Sequence, residues 1–164
     1  MGDKKFVIGV IVVTIFLLVG AVVLAGSMGS NAEVAANPQV LVVVSESSHD
    51  WGEIGLNDGN VEKVFTIKNE GSENLTLTNI ATSCMCTTAQ LALGDNESPL
   101  FGMHSKSDYS MHVPPGEAAQ LAVVFDPAFH GPSGVGPINR QVTVSTNDPK
   151  NPTLTFLLNA VVRQ

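Results

Sequence analysis

Cys84 and Cys86 are the chain's two cysteines, one residue apart, with Met85 between them. Met103-His104 and Met111-His112 follow downstream. Thiolate, thioether and imidazole together form a soft ligand set suited to copper, and to Cu(I) in particular. An extended backbone would turn both thiols to one face and Met85 to the other, so a bend is needed before all three meet one ion. The same alternation lets only one member of each Met-His pair face a given direction. The economical metal set is therefore Cys84 and Cys86 with His104, His112 or both, and Met85, Met103 and Met111 complete the candidates.

Other readings of the pair stay open. Methionines fill cores more often than they bind metal, and two small thiols can simply pack in a sheet. As a disulfide, cysteines two apart in a strand place their Cα atoms near or beyond the upper end of the usual ~4.4–6.8 Å, so the bond requires a tight turn. A strained bond is readily reduced, which would suit thiol-disulfide exchange, although the chain shows no thioredoxin-like βαβ pattern.

Other chemistry finds little support. The sequence holds no Gly-x-Ser-x-Gly elbow, no phosphate-cradling glycine loop and no His-Glu-x-x-His helix. Pairing Cys84 with His104 as a hydrolase is an arrangement that any chain with four histidines permits. His49, beside Asp50 and Trp51, reads as a strand start. His130 lies in the Gly/Pro loop FHGPSGVGP at residues 129–137, which is either a contact surface or a plain connection. A non-enzymatic role is the more economical one.

The compartment bears on the thiols. Residues 6–24 are nineteen positions without a charge, long enough as a helix to cross a bilayer core of ~30 Å. Lys4 and Lys5 precede the run and the next cation is Lys63, so the positive-inside bias keeps the N-terminus cytoplasmic and sends the remainder across. A cleaved signal peptide competes, but the apolar run exceeds the usual ~7–15 residues of such a segment. The expectation is a cytoplasmic stretch at 1–5, a signal-anchor transmembrane helix at 6–25, a flexible linker at 26–38 and an extracytoplasmic domain at 39–164. In a bacterium this places a single-pass protein in the inner membrane with its domain in the periplasm. Ala21 and Ala25 make a small-residue face for packing on another membrane helix. From residue 33 onward fourteen Asp or Glu oppose six Lys or Arg, a formal charge of −8, which disfavours nucleic acid as a partner.

Within 39–164 short β-branched and apolar runs are broken every eight to twelve residues by Gly, Pro, Asn or Asp. QVLVVVSES at 39–47 opens the strand series, VEKVFTIKN, LTLTNIA, AQLAVVFDP, RQVTVSTN and PTLTFLLNAVV follow, and no stretch carries a helical period. This predicts an all-β, immunoglobulin-like sandwich of seven to eight strands behind one N-terminal transmembrane helix.

Residues 51–87, ending in TNIATSCMCT, then PPGEAAQLAVVFDP at 114–127 and VTVSTNDPKNPTLTFLLNA at 142–160, resemble a bacterial immunoglobulin-like family of unknown function marked by a Ser-Cys-Gly-Cys-Thr signature. That family is similar to the ASH and major-sperm-protein modules. The resemblance implies the fold and little about function. The chain departs from it at Met85, where the family has glycine, and at residues 93–112, which read as an insertion carrying both Met-His pairs. The expected function is a membrane-anchored binding or scaffold module, an accessory subunit with a protein partner in an integral-membrane complex. The alternatives are copper binding or delivery and, more weakly, thiol-disulfide exchange.

Overall fold

The computed structural model describes residues 2–27, 34–105 and 107–164, with α1 side chains given for residues 4 and 6–22. Two compact units result, one on each side of residue 31. The first holds helix α1 (Gly2–Ser27), whose large apolar side chains from Phe6 to Val22 are exposed. Among the described residues no helix is long and apolar enough to cross a membrane. Ala21 is exposed, whereas the side chain of Ala25 and residues 28–33 of the expected linker lie outside the described residues.

The second unit is a β-sandwich of ten strands in two five-stranded sheets. One sheet runs in the order β1 (Val42–Val44), β3 (Val61–Asn69), β8 (Ala118–Phe125), β5 (Thr87–Leu93), β6 (Asn96–Glu97). The other runs β2 (Ser48–Gly55), β10 (Thr153–Arg163), β9 (Gly136–Thr146), β4 (Leu75–Thr82), β7 (Ser110–Val113). The count exceeds the expected seven to eight. β1 falls within the run QVLVVVSES at 39–47, whereas β6 and β7 have only two and four residues, too short for alternation to reveal them. β6 and β7 arise inside the segment read as an insertion, so that segment is partly woven into the sheets.

Period-two patterning decides which side chains meet. In β3, Phe65, Ile67 and Asn69 point inward while Thr66 and Lys68 face out. In β10, Leu154, Phe156 and Leu158 do the same from the opposing sheet. Phe65 and Phe156 meet with ring centroids 4.8 Å apart.

Two buried polar side chains at the rims, Asn69 and Asp148, are paired. Asn69, fully buried, donates to the carbonyls of Glu73 and Val113 at 2.8 and 2.9 Å and accepts from the Gly71 amide at 2.9 Å. Gly71 must be glycine for space, since a Cβ there would press on the backbone of Gln39, Val40 and Leu41. Asp148 accepts the Val42 amide at 3.1 Å, and the Asn37 amide donates to the Asn147 carbonyl at 2.8 Å. These bonds fasten the entering chain to the turn between β9 and β10.

Candidate functional site

β4 and β5 belong to different sheets, and four residues, Ser83 to Cys86, carry the chain across. Sheets in a sandwich lie ~10 Å apart, so the backbone must bend sharply. Both ends of the bend extend a ladder by one step. The Ser83 amide donates to the Gln141 carbonyl at 2.9 Å beside β9, and the Asp126 amide donates to the Cys86 carbonyl at 2.9 Å just past β8. Inside the turn the Thr82 hydroxyl shares its proton between the carbonyls of Cys84 and Thr87, each 2.9 Å away. The Thr87 amide donates to the Cys84 carbonyl at 3.2 Å.

This bend brings the Cys84 and Cys86 Cα atoms to 5.3 Å, and the two cysteines form a disulfide. The distance lies within the ordinary range for a disulfide. The pair is therefore neither extended nor free, and Met85, at the apex, is 57% exposed.

Residues 42–95 match the family described as Protein of unknown function (DUF1573). The resemblance read from the sequence thus holds. Among solved structures, a protein of unknown function from Porphyromonas gingivalis W83 is 19% identical with a TM-score of 0.57, matching 78% of this chain and 49% of its own. The present chain thus spans about half the length of that protein. The ASH/PapD-like domain 7 of human CEP192 is 15% identical with a TM-score of 0.50, covering 80% of this chain and 91% of the domain. At such identities the likeness concerns the fold. No curated protein matches the sequence.

Around the disulfide stand two side chains from distant parts of the chain. β8 ends at Phe125, opposite Thr87. The loop beyond it is folded back by the Asp126 carboxylate, which accepts the Ala128 amide at 2.9 Å, and by the Gly131 amide, which donates to Ala128 at 2.8 Å. His130 is thereby set with Nε2 3.7 Å from Cys84 Sγ. From β9, Arg140 Nε donates to Cys86 Sγ at 3.1 Å, while its guanidinium lies 5.5 Å from the centre of the Phe125 ring. Burial pulls the Arg140 pKa below the usual guanidinium value, yet the group stays cationic at neutral pH.

Beneath the disulfide lies a small apolar cluster. Leu56, Cys86, Phe125 and Val162 are buried there, flanked by Trp51, whose ring stacks on Phe125 at 6.1 Å. Cys84 is half-buried and Cys86 is 3% exposed. Around the turn, Phe129 and Val135 join Met85 as exposed apolar residues.

The ligand atoms of Cys84, Cys86 and His130 all lie within 4.8 Å of one another, and among the described residues they are the one group of three metal-ligating side chains so placed. The expected partners His104 and His112 are not in it. His112 sits on β7 with Nδ1 3.1 Å from the Thr76 hydroxyl, and Thr76 is separated from the end of β4 at Thr82 by about 20 Å of strand. Met111 is 1% exposed and belongs to the main core. Met103 and His104 lie exposed in a turn closed by the Ser105 amide on the Gly102 carbonyl at 3.3 Å. Period two explains the split of Met111 from His112: adjacent strand residues face opposite sides.

His130 and Arg140 escaped the sequence reading as partners of the thiols. The available signal was a histidine in a Gly/Pro loop directly after a strand, and nothing local tells which other turn that loop will meet.

So short a disulfide loop has little structural leverage. Closing it removes only about 1.5 kcal/mol of unfolded-state entropy in the chain-entropy model, against a core built from both sheets. Reduction is therefore expected to leave the sandwich folded and to lower the urea midpoint slightly. Far-UV circular dichroism and a urea titration, each run with and without a phosphine reductant, check this; collapse of the fold on reduction would make the bond a structural staple.

Proposed function

We propose that this chain is a membrane-anchored, extracytoplasmic binding module, an accessory subunit that attaches an immunoglobulin-like sandwich to an integral-membrane complex. The observation that carries the reading is a helix whose apolar side chains stay exposed, in a chain whose sandwich already satisfies its own core. Apolar residues over nearly five turns of helix are costly in water and favourable in lipid. The uncharged sequence run continues to residue 24, past the described side chains. The dilysine before it orients the N-terminus to the cytoplasm, and the disulfide fits an oxidising, extracytoplasmic compartment.

The binding surface is the disulfide end of the sandwich. Met85, Phe129 and Val135 are exposed there, 57%, 45% and 42% respectively, on a turn and a loop held by two sheets. Anchoring adds effective concentration at the membrane, so a modest contact area suffices for stable association. The acidic domain suits a protein partner rather than nucleic acid.

Membrane fractionation tests the reading. The full chain should resist alkaline carbonate extraction, and its C-terminal domain should be cleaved by protease added to spheroplasts. It should co-migrate with a larger complex on native gels, and a Met85→Ser, Phe129→Ser variant should lose that co-migration while staying in the membrane. Release by carbonate removes the anchor, and unchanged migration of the variant removes the binding surface.

A further inference from the structure

We propose that the dithiol form of Cys84 and Cys86, together with His130, is a three-coordinate site for a soft monovalent cation, Cu(I), and that the disulfide is the closed form of this site. The inference does not depend on the anchor or on a protein partner.

Three observations carry it. First, the two sulfurs and His130 Nε2 already converge within 4.8 Å, held by turns on both sheets rather than by the S–S bond alone. Thiolates with an imidazole form a soft donor set, and three donors suit Cu(I) better than a cation that demands four to six. Second, the local charge matches a monovalent ion. Two thiolates, one Cu(I) and the Arg140 guanidinium sum to zero, whereas a divalent ion would leave a positive charge beside a partly buried arginine. Third, the two sulfurs are unequal. Cys84 is half-buried beside exposed His130, while Cys86 is buried against Arg140 Nε at 3.1 Å.

That inequality gives the opening an order. A dithiol reductant attacks the Cys84 sulfur through its thiolate and forms a mixed disulfide. Cys86 leaves as a thiolate, stabilised by the adjacent guanidinium. The second thiol of the reductant then attacks the reductant's own sulfur in the mixed disulfide and releases Cys84. Two electrons and two protons pass to the pair, and the reductant departs as a disulfide. Binding of Cu(I) then displaces the two thiol protons. Reoxidation by an exogenous disulfide, which accepts the pair's two electrons by exchange, takes two protons from water and departs as a dithiol, consumes both thiolate donors and releases Cu(I).

The test uses the full chain in detergent, reduced with a phosphine, desalted anaerobically and titrated with Cu(I) against a chromophoric Cu(I) chelator. Reduced protein should retain about one equivalent and the disulfide form none. His130→Ala should weaken retention at least about tenfold, roughly 1.4 kcal/mol, while His104→Ala and His112→Ala leave it unchanged. His130 is exposed, so its variant tests the site even where cysteine substitutions disturb folding. Equal uptake by the oxidised and reduced forms, no retention by the reduced form, or full retention by His130→Ala each overturns the proposal. Loss of retention in His104→Ala or His112→Ala would move the site to the Met-His segment and overturn it likewise.

Discussion

A Phe156→Ala chain is expected to lose about 3–5 kcal/mol of stability. Phe156 on β10 is fully buried, and its ring meets that of Phe65 on β3 at 4.8 Å with the planes tilted by 40°. The two strands belong to opposite sheets, so the pair is one of the contacts that hold the sandwich faces together. Removing the ring leaves a cavity that both β-ladders are too rigid to fill, and the loss includes the aromatic contact, worth ~0.5–1.5 kcal/mol beyond area. Domains of this size have only ~5–15 kcal/mol in total. Urea unfolding should show a large fall in midpoint at an unchanged slope. Phe156→Leu, which retains most of the volume, should cost much less. Equal losses in the two variants would show that ring packing is not what matters there.

The second large effect is expected at Asp148, which is 1% exposed. Burial by itself raises its pKa, but hydrogen bonds from the Asn151 side chain and from the backbone amides of Val42, Lys150 and Asn151 outweigh it and hold the carboxyl below its ordinary value. Its folded pKa is thus depressed relative to the unfolded ~3.9. The stabilisation is fully present above that unfolded value and is lost as pH falls through the folded one. Asp148→Asn should cost roughly 1.5–3 kcal/mol at neutral pH, the range for hydrogen bonds to a charged group. It should also flatten the acid limb, so that the two proteins converge in stability at low pH. The carboxylate ties the β9–β10 turn to the entering chain at Val42, at 3.1 Å. Faster amide exchange in the variant should therefore concentrate at β1. Parallel acid limbs for the two proteins would deny Asp148 its linkage.

Much of this architecture was legible in the sequence because strand patterning is local. The runs around Phe65, Leu121, Val142 and Phe156 alternate with period two, and each became a strand with those residues inward. Turn residues at the strand ends and the resemblance at residues 51–87 pointed to the same sandwich. Short β6 and β7 were hidden because two to four residues carry no readable period.

The chemistry of Cys84 and Cys86 belongs to the other category. Their identity and spacing are sequence facts, but whether their sulfurs face together depends on the backbone crossing between two sheets, a tertiary requirement. The same holds for their neighbours. His130 and Arg140 lie 46 and 54 residues from the cysteines they touch. They arrive because β8 pairs with β5 and β9 pairs with β4, which places the ends of both partners beside one turn. The sequence by itself determined the longer alternating strands, the uncharged N-terminal run and the donor types. Only the tertiary structure decided which donors converge, because convergence depends on ladder register between strands far apart in the chain, and no local period encodes it.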